Sequence, residues 1–231
     1  MAGAGQSLIW IDVGEALHDI AERRDIPRAL VDASRFHLHH GREPEATMAA
    51  AIGSGRQQGI ITALLTLDAR AQLETGNGQA TRPVAELLTV DGRLRGGDEE
   101  RIVAVGITKA ETSLYQEGLY QEGLSHEGVW EGPPKQRTFG MAVALQFSGD
   151  QIADVSVAMS GIAAQPVRAR LVEGALRGRR RSAALVKTAA ETAQAEAQPA
   201  GGGNVLGREE TRVLAHLCKS ALEAAILVAE G

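Results

Sequence analysis

The stretch Phe139-Gly-Met-Ala-Val-Ala-Leu-Gln-Phe-Ser-Gly-Asp-Gln-Ile-Ala-Asp-Val-Ser-Val-Ala-Met159 carries the pattern that decides the fold. Apolar residues alternate on both sides of Ser148-Gly149-Asp150, a break of hairpin length. The spacing predicts two antiparallel strands, Arg137 to Phe147 and Gln151 to Met159. Downstream, Pro166 to Gly178 reads as a helix opened by proline near its first turn. Its end carries the basic run Arg177 to Arg181, where cations suit the helix dipole and solvent. Ser182 to Ala197 and Arg208 to Ala229 read as two more helices, separated by a hinge-like linker from Pro199 to Asn204.

Upstream, Ile102, Val103, Val105 and Ile107 mark a strand from Arg101 to Thr108. Another pair, Ala69 to Glu74 and Gln79 to Pro83, turns at Gly76-Asn77-Gly78, whose Asn-Gly step is a strong hairpin signal. A helix from Ile60 to Asp68 precedes this pair, and a short one from Val84 to Leu88 follows it. Nearer the start, Ile9, Ile11 and Val13 suggest a short strand. Gly14 to Ala33 reads as two short helices jointed at Pro27. Between the halves lies Tyr115-Gln-Glu-Gly-Leu119, repeated as Tyr120-Gln-Glu-Gly-Leu124 and trailed by Ser125-His-Glu-Gly128. A five-residue period matches neither helix nor strand, so this reads as a surface loop. The expectation is an α+β fold with an antiparallel sheet within residues 60–110 and a three-stranded sheet plus helices after residue 137.

Composition narrows the chemistry. The chain has 231 residues, 44% of them hydrophobic, enough to bury a real core. No apolar run reaches the roughly 18 residues a membrane span requires, and no signal-peptide pattern opens the chain, so cytoplasmic placement is expected. A single cysteine, Cys218, excludes a disulfide framework, a thiolate zinc site and a self-contained iron–sulfur cluster. It sits among Leu214, Leu217, Ala221 and Leu222 and reads as a buried small hydrophobe. The net charge of −5 gives no general attraction to nucleic acid or anionic lipid. Aromatics are only 3%, which leaves few rings for stacking a flat cofactor. His37, His39 and His40 could seed a metal site if their segment were a strand, but a polar surface loop is the plainer reading. The opening Gly-Ala-Gly, with no strand before it, is not a phosphate loop. No serine elbow, zinc-protease pair or Walker loop is present.

Three stretches resemble one family. Ala63-Leu-Leu-Thr-Leu-Asp-Ala-Arg-Ala-Gln-Leu73 followed by Arg82-Pro-Val-Ala-Glu-Leu-Leu88 is similar to its helix-to-strand step. Phe139 to Leu145, leading through Ile152-Ala-Asp154 to Val157-Ala-Met-Ser-Gly-Ile-Ala-Ala-Gln-Pro-Val-Arg-Ala-Arg170, resembles its Gly-x-Ala-x-x-Pro-x-Arg signature. Leu206 to Ala225 stands where the family has its terminal helix. The family is that of the medium, FAD-binding subunits of the xanthine dehydrogenase and carbon monoxide dehydrogenase group of molybdenum hydroxylases. The resemblance implies partner chains that carry molybdopterin and [2Fe–2S] clusters, with electron transfer from molybdenum through the clusters to FAD. It implies residues 1–110 as a flavin-binding-like unit without its first subdomain, 111–136 as an extended loop, and 137–231 as the family's C-terminal domain.

The departures bear on the cofactor. The family's T-x-G-G-N motif and the polar loop after it align on Thr47, Ala49, Ala50, Ser54 and Gly55, the candidate FAD-binding residues. Both glycines are alanine here, and the asparagine and aspartate are missing. Glycine lets backbone amides approach a phosphate closely. The expectation is therefore a structural, docking subunit of an oxidoreductase complex with lost or weakened FAD binding. The alternatives are a working FAD subunit and a stand-alone binding protein that reuses the fold. An apolar docking patch is expected at Met48, Ile52, Ile60 and Ile61.

Overall fold

The computed structural model describes residues 7–39, 46–55, 58–121, 136–197 and 206–228. The opening glycines, His40, most of the second Tyr-Gln-Glu-Gly-Leu copy, Ser125 to Gly128 and the 199–204 linker lie outside them.

Two four-stranded antiparallel sheets organise these residues. The first has the order β1-β4-β2-β3, from β1 (Leu8–Asp12), β2 (Arg70–Thr75), β3 (Gly78–Pro83) and β4 (Arg101–Thr108). The β2–β3 hairpin turns through Gly76 and Asn77, where Thr75 Oγ1 accepts the Asn77 amide at 3.2 Å. Its helices are α1 (Leu17–Glu22), α2 (Arg28–His39), α3 (Met48–Ser54), α4 (Gln58–Thr66) and α5 (Val84–Leu87). Ile11, Ala71, Leu73, Val105 and Ile107 from the strands meet Leu17, Ile20, Leu30, Met48 and Leu64 from the helices in one core.

The second sheet runs β5-β6-β7-β8, from β5 (Thr112–Gln121), β6 (Gln136–Ser148), β7 (Gln151–Ser160) and the two-residue β8 (Val167–Arg168). Its two faces differ in side-chain size. Met141, Val143, Leu145, Val157 and Met159 face α6 (Arg170–Leu176), α7 (Ala183–Glu196) and α8 (Arg208–Val228). Ala142, Ala144 and Ala158 belong instead to the first core. That small-residue face lets α4 lie close, and the seven residues from Ile60 to Thr66 are all buried. A helix apolar all round belongs in an interior, and α4 lies against β6 and β7 while its residues join the first core.

Three expectations need correction. The first Tyr-Gln-Glu-Gly-Leu copy is not loop but strand, in register with β6 from Thr112↔Leu145 to Gln121↔Gln136. Because strand side chains alternate with period two, a five-residue repeat throws equivalent residues onto opposite faces. Tyr115 accordingly enters the first core while Tyr120 packs against the second. The second sheet thus gains a fourth strand from a segment the repeat had disguised. Pro166 does not open a helix either: β8 intervenes, and α6 starts at Arg170. Finally, the segment with His37 and His39 is neither surface loop nor strand but the last turn of helix α2, where residues two apart do not share a face. Among the described residues no group of three or more His, Cys, Asp or Glu could hold a metal ion, and no described helix is long and apolar enough to cross a membrane.

Candidate functional site

The candidate FAD residues are spread along one short helix. Thr47 is the N-cap of α3, and its hydroxyl accepts the Ala50 amide at 3.3 Å. Ala49 and Ala50 occupy the first turn, with exposed side chains. Ser54 and Gly55 lie at the other end, roughly 10 Å away at 1.5 Å per residue. The Ser54 hydroxyl donates to the Ala51 carbonyl, and Gly55 is the left-handed C-cap at φ 66°. A β-carbon at Gly55 would stand 2.7 Å from the Asp91 carbonyl oxygen, which is why glycine is required there.

Sequence reasoning missed the element that meets the start of α3. The turn between β1 and α1 runs antiparallel to it. Met48 donates its amide to the Glu15 carbonyl at 2.9 Å and Ala49 donates to the Val13 carbonyl at 2.7 Å. Leu17 donates to the Ala46 carbonyl at 2.8 Å, and Ala16 bridges Thr47. The same turn is tied to the sheet, where Val13 donates to the Val103 carbonyl at 3.1 Å. Inside it, the Asp12 carboxylate accepts the Gly14 amide at 2.6 Å. Only the run of small polar and glycine residues at Asp12-Val-Gly-Glu15 could have signalled a turn, and nothing local says what it pairs with.

The expected docking patch is not a surface. Met48, Ile52, Ile60 and Ile61 are all buried, each at 3% exposure or less, and all belong to the first core. Their spacing around Gly53 reflects two consecutive helices, α3 and α4, turned inward.

A second polar cluster joins α4 to the second sheet. Tyr115 is almost fully buried, its hydroxyl bonded to Glu117, and burial pushes its phenol well above the usual value. Gly59 on α4 and Gly140 on β6 make room for it: a β-carbon on either would come within 2.5–2.6 Å of the hydroxyl. Beside it, Gln58 spans the gap between units, accepting the Gly161 amide at 3.2 Å and donating to the Ala164 carbonyl at 3.0 Å. Loops at Gly55, Gly92 and Gly161, each with positive φ, converge on this region.

The signature arginine of the Gly-x-Ala-x-x-Pro-x-Arg stretch is Arg168. Its guanidinium donates to Glu173, to Asp68 at 2.6 Å and to the Leu65 carbonyl at 3.0 Å. It therefore clasps the end of α4 to the second sheet. In parallel, the Ser156 hydroxyl donates to the Thr66 carbonyl at 2.6 Å. Three arginines of the basic run at Arg177 to Arg181 are likewise in local pairs: Arg177 with Asp154, and Arg180 and Arg181 with Asp150. Cys218 is buried in α8, and burial raises its thiol to about 12, far from a reactive thiolate.

This β6–β7 hairpin backed by three helices matches a known family model over residues 137–227, that of the CO dehydrogenase flavoprotein C-terminal domain. The match takes in β7, β8, α6 and α7 whole, with all but the first residue of β6 and the last of α8. The likeness in fold extends over nearly the whole chain. Carbon monoxide dehydrogenase from Hydrogenophaga pseudoflava, in a form lacking the Mo-pyranopterin moiety of its molybdenum cofactor, aligns with TM-score 0.67 and 21% identity. That alignment covers 97% of this chain and 77% of the other. Quinoline 2-oxidoreductase from Pseudomonas putida 86 gives TM-score 0.68 and 14% identity, covering 99% and 78%. Reconstituted CO dehydrogenase from Oligotropha carboxidovorans gives 0.66 and 16%, covering 94% and 75%. At these identities the likeness is one of fold. No curated protein matches the sequence.

Proposed function

We propose that this chain is the medium, flavoprotein-type subunit of a molybdenum hydroxylase, an oxidoreductase complex, and that it serves chiefly as a docking subunit with lost or weakened FAD binding. Its partners would be a molybdopterin-binding large subunit and a [2Fe–2S] small subunit, assembled with it in the cytoplasm. In this reading residues 1–110 are the flavin-binding-like unit and Thr47, Ala49, Ala50, Ser54 and Gly55 are what remains of its FAD motif. The observation that carries the reading is the flavoprotein C-terminal domain at 137–227, on a chain whose preceding residues continue the fold of the CO dehydrogenase and quinoline oxidoreductase chains.

The polar chemistry described above is compatible with this role. Ser156 and Arg168 tie α4 to the second sheet, and the buried Cys218 thiol stays protonated. The test is affinity purification of the full chain expressed with the products of its neighbouring genes. Stoichiometric recovery of a molybdenum-containing chain and an iron–sulfur chain is expected. A chain that purifies alone, with neither metal, sinks the proposal in favour of a stand-alone binding protein.

A further inference from the structure

We infer that this chain does not take up FAD, because the start of α3, where the FAD motif of the resembled family aligns, is already occupied by the chain's own β1–α1 turn. The choice of ligand rests on the docking-subunit reading above; the obstruction rests on geometry.

A helix start receives a phosphate through amides that have no partner within the helix, aided by the helix dipole. In α3 the amides of the first turn, Met48 to Ala51, are spent. Met48 gives its amide to Glu15, Ala49 to Val13 and Ala50 to the Thr47 hydroxyl, and the Ala51 amide closes the first turn on the Thr47 carbonyl at 3.0 Å. A phosphate oxygen could gain one of these amides only by displacing a carbonyl or the Thr47 hydroxyl, which would then lose its donor. The turn cannot swing aside cheaply, since Val13 is also bonded to β4 and Leu17 to Ala46. The helix is seven residues long, which limits its dipole. Charge opposes binding as well. Asp12 and Glu15 place carboxylates on the turn, and the nearby Arg23 is already paired with Glu15 and Asp25. The obstruction is thus in the backbone. The alanine methyls at 49 and 50 point outward and are not its cause.

The test uses the purified full chain, titrated separately with FAD and with ADP, followed by flavin fluorescence and calorimetry. No saturable binding is expected up to about 1 mM. Amide hydrogen exchange should find Met48 and Ala49 protected, as partners in the turn–helix ladder. The Ala49→Gly, Ala50→Gly double variant should behave like the parent. Stoichiometric FAD binding at micromolar concentration overturns the inference. So does fast exchange at Met48 and Ala49, or a gain of flavin binding in the double variant. The subunit assignment and this inference fail separately: a chain that assembles with its partners and binds FAD refutes this inference, and with it the weakened-FAD clause, but leaves the subunit assignment standing, whereas one that binds neither partners nor FAD refutes only the subunit assignment.

Discussion

Arg168 Nε lies 2.7 Å from Glu173 Oε1, and the two side chains are 12% and 2% exposed. Glu173 also accepts the Val157 amide at 2.9 Å and holds Arg170 at 3.0 Å, so one buried carboxylate satisfies donors from β7, β8 and α6. Removing one partner of such a pair leaves a buried charge uncompensated, at a cost of about 3–5 kcal/mol. Glu173→Ala should destabilise the chain by that order in urea unfolding, and Arg168→Ala comparably. Arg170→Ala, whose side chain is 69% exposed, should cost well under 1 kcal/mol. Equal costs for Arg168 and Arg170 would show that the clasp is not a structural centre.

Glycine positions give a paired prediction. At Gly161, φ is +85° and a β-carbon would overlap the Thr138 carbonyl oxygen. Gly161→Ala should cost at least roughly 1–3 kcal/mol from backbone strain, with the clash added. Gly174, inside α6, has nothing within 4 Å of its β-carbon position. Gly174→Ala should raise stability by about 0.5–1 kcal/mol, since alanine suits a helix better. Thermal unfolding of both variants decides it, and a shift of the same sign in the two would contradict the geometry.

The interior position of α4 sets what Ile60→Glu should do. With Ile60 at 1% exposure, an unpaired carboxylate there should unfold the isolated chain or cost several kcal/mol. Leu119 on β5 is 60% exposed, and Leu119→Glu should stay within about 0.5 kcal/mol of the parent. Circular dichroism on the purified variants reads both. A well-folded Ile60→Glu protein would mean that α4 is less enclosed than the packing indicates.

Acid response should carry a signature from Asp32. Burial against β5 pushes its carboxyl above the ordinary 3.8, opposed by Arg28, by the Tyr115 amide and by Arg35. A raised folded value means that the folded chain holds the proton more tightly than the unfolded one. That stabilisation is complete below about 3.8 and is lost as pH rises through the folded value. The stability of the parent relative to Asp32→Asn should therefore be greatest near pH 4 and shrink toward pH 7. Urea unfolding across that range measures it; a difference that grows with pH would reverse the assignment.

Much of this molecule is legible along the chain because its signals are local. Period-two alternation places β4, β6 and β7 almost to the residue. Asn-Gly marks the β2–β3 turn, and Ser182 caps α7 as a serine before a helical run should. What the sequence could not decide was pairing between distant segments, because a hydrogen-bond donor carries no address for its acceptor. Only the folded chain brings Val13 and Glu15 onto the amides of Ala49 and Met48, some thirty residues away. Only the register of β5 against β6 turns the repeat at Tyr115 and Tyr120 into a strand with one ring in each core. And the apolar residues of α3 and α4, which composition alone leaves equally fit for core or interface, became core because the fold gathers them into one cluster with the first sheet's strands and with Ala142, Ala144 and Ala158 of the second.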